Sequence, residues 1–344
     1  MPHVHAAIAA AAISSISISI FMKPFSLFSI FVIPVCFAVL SSTTVFACTS
    51  CGMMLSPGYT PGWESQGLSA NDGFRFDFRY DLLNQNQVRS GAHKVGDWPV
   101  APHEQEMFTK TQSYNTTIDW SKGLFGVNVQ APYLIRTHAT GGFAYNGTDD
   151  GTSSADGFGD IRVVGRFMGV LKNRSLGLQF GVKLPTGNFK QNFNGGSIAG
   201  QLLDRGLQLG TGTTDLIFGA FHFAPITKEL NYYSQFTAQF ALSGRNEYKP
   251  GNAFTANVGV RYHLLERVVP QLQLNARISG RDAGINASPD DSGGTTLYLS
   301  PGITFGISKN VFSYVLFQLP IYQYYNGYQL APAYTLSVGT RVMF

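Results

Sequence analysis

The chain is predicted to be all-β: a transmembrane, antiparallel, up-and-down β-barrel of about twelve strands, of the bacterial outer-membrane type. Three observations point there. Segments of about ten residues alternate apolar and polar side chains, the period and length of a strand that crosses a membrane with one face in lipid. The connections alternate between short and long down the chain, as periplasmic turns and outer loops do. The last eleven residues, Tyr334 to Phe344, alternate strictly and end on an aromatic side chain. Phe344, Val342, Thr340, Val338, Leu336 and Tyr334 share one face, opposite Met343, Arg341, Gly339, Ser337 and Thr335. A terminal aromatic with apolar residues at every second position before it resembles the signal by which the barrel-assembly machinery recognises such proteins.

Composition agrees. Of 344 residues 13% are charged and 13% aromatic, and the mean hydropathy of +0.02 is what strands with every second residue in lipid would give. A helical membrane protein would need several apolar runs of about 20 residues, and none follows the N-terminus. The net charge of +4, without a Lys/Arg block, excludes nucleic-acid binding as a class.

From Met22 the chain reads as a signal peptide: Lys23, an apolar core from Phe25 to Leu40, then Val45-Phe46-Ala47 with small residues at the cleavage positions. Residues 1–47 are assigned to it, with 1–21 an extension ahead of Met22; the alternative is an uncleaved anchor. Residues 48–72 form a periplasmic segment without period, a lead-in or a loosely packed plug. Its Cys48-Thr-Ser-Cys51 lacks the following histidine of haem attachment, since Gly52 stands there. Three readings stay open: a periplasmic disulfide, a lipid-modified Cys48 with bulky Phe46 against it, and a Cu(I) site with Met53 and Met54 adding thioethers.

Residues 73–344 are the barrel. The first strand puts Phe74, Phe76, Phe78, Tyr80 and Leu82 outward and Arg75, Asp77, Arg79 and Asp81 inward. The second (108–120) and third (124–136) follow across Ser-Lys-Gly. The fourth sends Ile161, Val163, Gly165 and Phe167 outward, and the fifth Leu176, Leu178, Phe180, Val182 and Leu184. Strands at 214–226, 232–242, 254–264, 272–278, 296–307, 311–322 and 334–344 complete twelve. The tight turns are expected at 121–123, 171–175, 227–231, 266–270 and 308–310. The outer loops, rich in Gly, Asn, Asp and Ser, are expected at 83–107, 141–159, 186–213, 243–252, 280–294 and 325–332. A secreted β-sandwich would leave the large apolar side chains on one face of nearly every strand unexplained.

Three passages carry a resemblance: Asp156-Gly-Phe-Gly-Asp160-Ile161, Lys183-Leu-Pro-Thr-Gly187 and Gly210-Thr-Gly-Thr-Thr-Asp215. In that order they resemble the outer-membrane barrels named for a role in the meta-pathway of phenol degradation, over roughly Gly73 to Phe344. The resemblance implies a barrel fold and passage of small aromatic or hydrophobic compounds, and carries over no catalytic residue. Physically the passages sit at strand ends: Pro185 lacks an N–H, Gly187 can turn the chain away, and Asp160 and Asp215 could cap turn amides or meet a lumen arginine.

The inward faces collect Arg75, Arg79, Arg162, Arg166, Lys183, Arg261, Arg277 and Arg341 against Asp77, Asp81 and Asp160. This excess would favour anions or orient a carboxylate or phenolate; pairing with the aspartates across the wall is the competing use. Amides (Gln179, Gln235, Gln239, Gln271, Gln273, Asn275) add neutral hydrogen-bonding groups. The eleventh strand offers Phe312, Tyr314, Leu316 and Tyr322 inward, a parity that a bulge would reverse. His93, His103 and Met107 in the first outer loop form a weaker, soft-metal reading. No His-Ser pair two residues apart, H-E-x-x-H, G-x-S-x-G or P-loop occurs, so no enzyme and no cofactor is expected. The expected function is an outer-membrane channel for small solutes, aromatic, hydrophobic or anionic. Its partners would be outer-membrane lipid, the assembly machinery acting at Phe344, and the solute. The alternative is a sensing component whose Cys48–Cys51 segment binds metal or a periplasmic redox partner.

Overall fold

The computed structural model describes residues 72–96, 105–141 and 150–344. The signal segment, Cys48, Cys51, Met53, Met54 and His103 lie outside them. In chain order the strands are β1 (Gly73–Gly91), β2 (His93–Lys94), β3 (Gln105–Lys122), β4 (Phe125–Gly141), β5 (Asp150–Phe158), β6 (Arg162–Phe167) and β7 (Leu176–Lys183). They continue as β8 (Gly195–Gly196), β9 (Asp215–Pro225), β10 (Leu230–Ala241), β11 (Ala253–Tyr262), β12 (Val268–Ser279), β13 (Gly294–Gly306) and β14 (Val311–Met343). A single 3₁₀ turn, Arg205–Leu207, is the one helical element among the described residues.

Each wall strand pairs antiparallel with its neighbours. β1 pairs with β3, β3 with β4, β4 with β6, and the ladder runs on through β7, β9 and β10 to β14, which pairs again with β1. The eleven wall strands therefore form a closed cylinder, while β2, β5 and β8 extend the sheet beyond the ring. β14 is two staves. Its N–H at Met343 meets the carbonyl of Asn310 at 2.9 Å, the hydroxyls of Ser313 and Thr340 lie 2.9 Å apart, and Phe317 lies against Tyr334. All three contacts are centred on Asn326-Gly327, where Gly327 takes φ +54°, a left-handed conformation that glycine adopts without a Cβ penalty. With β14 folded there, eleven ring elements make twelve staves among the described residues.

Alternation sets the two faces. On β1 Phe74, Phe76 and Phe78 are exposed while Arg75, Asp77 and Arg79 are buried; on β7 Leu178 and Phe180 are exposed while Gln179 and Lys183 are buried. The outer face is thus a band for hydrocarbon, and the packed interior of the molecule is polar, the reverse of a soluble protein. Tight connections after β3, β6, β9, β11 and β13 gather at the end that holds Gly73 and Phe344. Long connections gather at the other, which by the rule for such barrels is the outer side.

The outer end differs from expectation in three places. β1 runs on to Gly91; β5 lies inside the expected loop 141–159, on β4 above the β4–β6 pairing; and the expected loop 325–332 is a two-residue turn between paired arms. The reason is common to all. These segments extend above the lipid band, so their outward residues, such as Asp150, Thr152, Ser154 and Asp156, need no apolar character and leave no alternation to read. The eleventh strand carries the bulge that inverts parity: Leu297 pairs with Tyr322 and Tyr298 with Pro320, leaving Ile321 extra. Tyr314 and Leu316 face inward, but Tyr322, past the bulge, lies on the outer face at 49% exposure.

Face assignment predicts a sharp contrast between neighbours on β7. Phe180→Arg, placing a guanidinium in lipid, should cost about 2–4 kcal/mol, whereas Gln179→Leu, losing one lumen hydrogen bond, should cost about 1 kcal/mol. Denaturant unfolding of the refolded barrel in lipid vesicles measures both.

Candidate functional site

The three strand-end passages meet at one point. β6 follows Asp160, β7 ends on Lys183 and β9 begins on Asp215, and the register sets Lys183 beside both Arg162 and Asp215. Lys183 Nζ lies 3.2 Å from Asp160 Oδ2 and 2.9 Å from Asp215 Oδ2, all three side chains buried. Asp160 also caps: its Oδ1 accepts the Gly187 N–H at 3.0 Å, and its Oδ2 accepts the Thr211 N–H at 3.0 Å and hydroxyl at 2.9 Å. The Thr213 hydroxyl donates to Asp215 at 2.7 Å. Gly187 and Gly210 bring the two backbones together; a Cβ on Gly210 would lie 2.5 Å from the Gly187 carbonyl oxygen. Turn capping and ion pairing are thus one structure, and the pairing cation is a lysine rather than an arginine.

This knot clamps both ends of the connection 184–214, which turns into the barrel mouth. Arg136, inward on β4, donates to the carbonyls of Leu207 and Gln208, each at 2.7 Å, and to the Thr111 hydroxyl at 3.1 Å. Phe193, Ile198, Leu203 and Leu207 pack on one another, and Leu209 packs against Leu134 of β4 and Ala155 of β5. Arg205 lies between the rings of Phe189 and Tyr248, 4.9 and 4.7 Å from their centroids. The Tyr248 hydroxyl donates to Asp282 at 3.0 Å, and Asp282 also accepts the Gly251 N–H at 2.7 Å, so three outer connections are tied together. Burial lowers the pKa of Arg205 and raises those of Tyr248 and Asp282, the latter drawn back by the Gly251 amide and the Tyr248 hydroxyl.

Beneath the loop lies a cavity of about 160 Å³, lined by Arg136, Arg162, Lys183, Arg205 and Arg277, by Asp81, Asp160, Asp215 and Asp282, and by apolar groups that include Leu83, Leu134 and Leu209. The lumen wall below it has two characters. On one side Asp119 accepts from Arg75 at 2.9 Å and from Arg166 at 2.8 Å, Asp77 accepts from Arg341 at 2.8 Å and from Tyr314 at 2.9 Å, and Arg79 pairs with Asp81 at 2.9 Å. Two glycines make room: a Cβ on Gly126 would lie 2.6 Å from the Arg166 guanidinium, and one on Gly339 2.4 Å from the Tyr314 hydroxyl. On the other side an amide ladder crosses the strands, from Gln179 to Gln235 (3.0 Å), Asn257 (3.4 Å) and Asn275 (3.0 Å), ending on Ser300 (2.5 Å).

Of the cations expected in the lumen, Arg162, Lys183 and Arg277 reach the cavity; Arg79 pairs with the lining residue Asp81, Arg75, Arg166 and Arg341 stand in ion pairs away from the lining, and Arg261 is buried on β11. Asp119, Arg136 and Arg205 are the additions. Arg136 and Asp119 obey the same alternation as their neighbours and were legible by parity. Arg205 lay in an apparent loop, where the only signal is the apolar content of Ile198, Leu202, Leu203, Leu207 and Leu209.

The family described as "Putative MetA-pathway of phenol degradation" matches residues 103–324, which hold all three strand-end passages. The chain belongs to that family. In this phenol-degradation family member the passages are the knot at the foot of the inward loop. An outer membrane channel from Pseudomonas putida F1 is similar at TM-score 0.56 and 13% identity, over 80% of this chain and 97% of that one. At that identity the likeness shows the outer-membrane barrel fold. The toluene transporter TbuX of Ralstonia pickettii is matched at TM-score 0.42 and 9% identity, over 81% of this chain and 91% of that one. No curated protein sequence matches.

Asp119 is the shared acceptor of two buried guanidiniums. Asp119→Ala should lower the stability of the barrel by about 3–5 kcal/mol, because it removes the carboxylate that two buried guanidiniums share; chemical unfolding monitored by loss of heat-modifiable gel mobility checks this.

Proposed function

We propose that the protein is an outer-membrane channel for small solutes, with selection made at the cavity under the inward loop. The observation that carries this reading is the inward turn of 184–214, held on Arg136 and on the Lys183 knot over a cavity of about 160 Å³. A closed barrel with a polar interior already separates lipid from lumen; the loop encloses beneath it a cavity of the size of a single small molecule. The ionic half of the wall holds its charges in fixed pairs, so the cavity rather than the whole lumen sets preference. Phe344, outward and 77% exposed at the periplasmic rim, suits recognition by the assembly machinery.

The test is single-channel conductance of the purified, refolded protein in a planar bilayer. Wild type should give small, stable ohmic steps, and deletion of residues 190–204 should raise the conductance several-fold while heat-modifiable mobility is kept. Absence of steps from folded protein of both forms would refute the channel reading.

A further inference from the structure

The cavity's charges do not balance locally. Its carboxylates are all engaged: Asp160 and Asp215 by Lys183, Asp81 by Arg79, and Asp282 by Tyr248 and the Gly251 amide. Three of its guanidiniums have no carboxylate within ion-pair distance among the described residues. Arg136 is spent on loop carbonyls, Arg205 on the Thr211 carbonyl at 2.7 Å, and Arg162 on the amide oxygen of Gln239 at 2.9 Å. Arg162 is only 7% exposed, and its Nε has no hydrogen-bond partner. Asp160 and Asp215, which share Lys183, act on Arg162 only from beyond ion-pair distance; a carboxylate bound beside Arg162 would meet the buried guanidinium directly.

The rest of the lining limits which anion. Leu83, Leu134 and Leu209 give the cavity an apolar side, which a small, strongly hydrated inorganic ion would not use. Its volume of about 160 Å³ is the size at which an apolar cavity accommodates one benzene ring, about 150 Å³. Resting on the channel reading for its setting, we propose that this cavity is a binding site for a monocyclic aromatic carboxylate. The carboxylate meets Arg162, with Arg136 and Arg205 supplying further positive potential, and the ring lies against the leucines. A neutral aromatic of the same shape would fill the apolar side and leave Arg162 without a carboxylate in contact.

The test is isothermal titration calorimetry on the full-length, refolded protein in micelles, with sodium benzoate and with benzamide, a neutral molecule of nearly the same shape. Benzoate should bind saturably at one site and about tenfold more tightly than benzamide, the scale of one charge-assisted contact. Arg162→Gln should bring benzoate down to the benzamide level with heat-modifiable mobility intact. Equal binding of the two ligands by wild type, which needs no variant, would overturn the proposal; so would no benzoate binding, or benzoate binding unchanged in Arg162→Gln. The two readings fail separately. A folded barrel that binds benzoate selectively without conducting refutes the channel and keeps the site, whereas one that conducts without distinguishing the ligands does the opposite.

Discussion

Lys183, held between Asp160 and Asp215 at the junction of β6, β7 and β9, is the contact on which the architecture of the mouth depends. The barrel wall closes by backbone hydrogen bonding alone and needs no such cluster. What it does not determine is where a connection of some thirty residues goes. By joining the ends of three strands, and by using the second carboxylate oxygen of Asp160 on the Gly187 amide, the knot fixes both roots of the loop and aims it inward. Buried ion clusters offset their desolvation only when the remaining oxygens are also satisfied, and here Thr211, Thr213 and Gly187 satisfy them.

The remainder of the lumen follows the same economy of fixed pairs. Asp77 serves two donors and Asp119 three, Arg75, Arg166 and Asn128, and the glycines at 126 and 339 stand where a side chain would obstruct Arg166 or Tyr314. Against this ionic half the amide ladder from Gln179 to Ser300 presents groups without charge. Arg136, Arg162 and Arg205, which donate to carbonyl and amide oxygens rather than to carboxylates, gather high in the barrel around the cavity.

The wall was legible in the sequence because lipid imposes period-2 alternation wherever a strand crosses it: Phe74, Phe76 and Phe78 against Arg75, Asp77 and Arg79 could be read from the chain alone. Above the lipid band the constraint lapses. β5, with Asp150 and Thr152 outward, and the outer end of β1 read as loops for that reason. Tyr322 fell on the other face because Ile321 adds one residue to the β13–β14 ladder, and single-chain periodicity does not register a bulge. The knot was half legible. Asp160 and Asp215 stood out as turn residues, but their convergence on Lys183 depends on which strands are neighbours. The inward loop escaped because its apolar residues follow no period.

The central claim is that the Lys183 knot holds 184–214 inside the mouth, and cysteine accessibility tests it most directly. With Cys48 and Cys51 replaced by serine, Leu207→Cys would be probed on intact cells with a membrane-impermeant maleimide, alone and combined with Lys183→Met. The account predicts that Cys at 207 is protected when Lys183 is present and is labelled rapidly when Lys183 is Met, with the barrel still folded by heat-modifiable mobility. Equal labelling in both backgrounds would contradict it, because the loop would then be seated, or unseated, without regard to the knot.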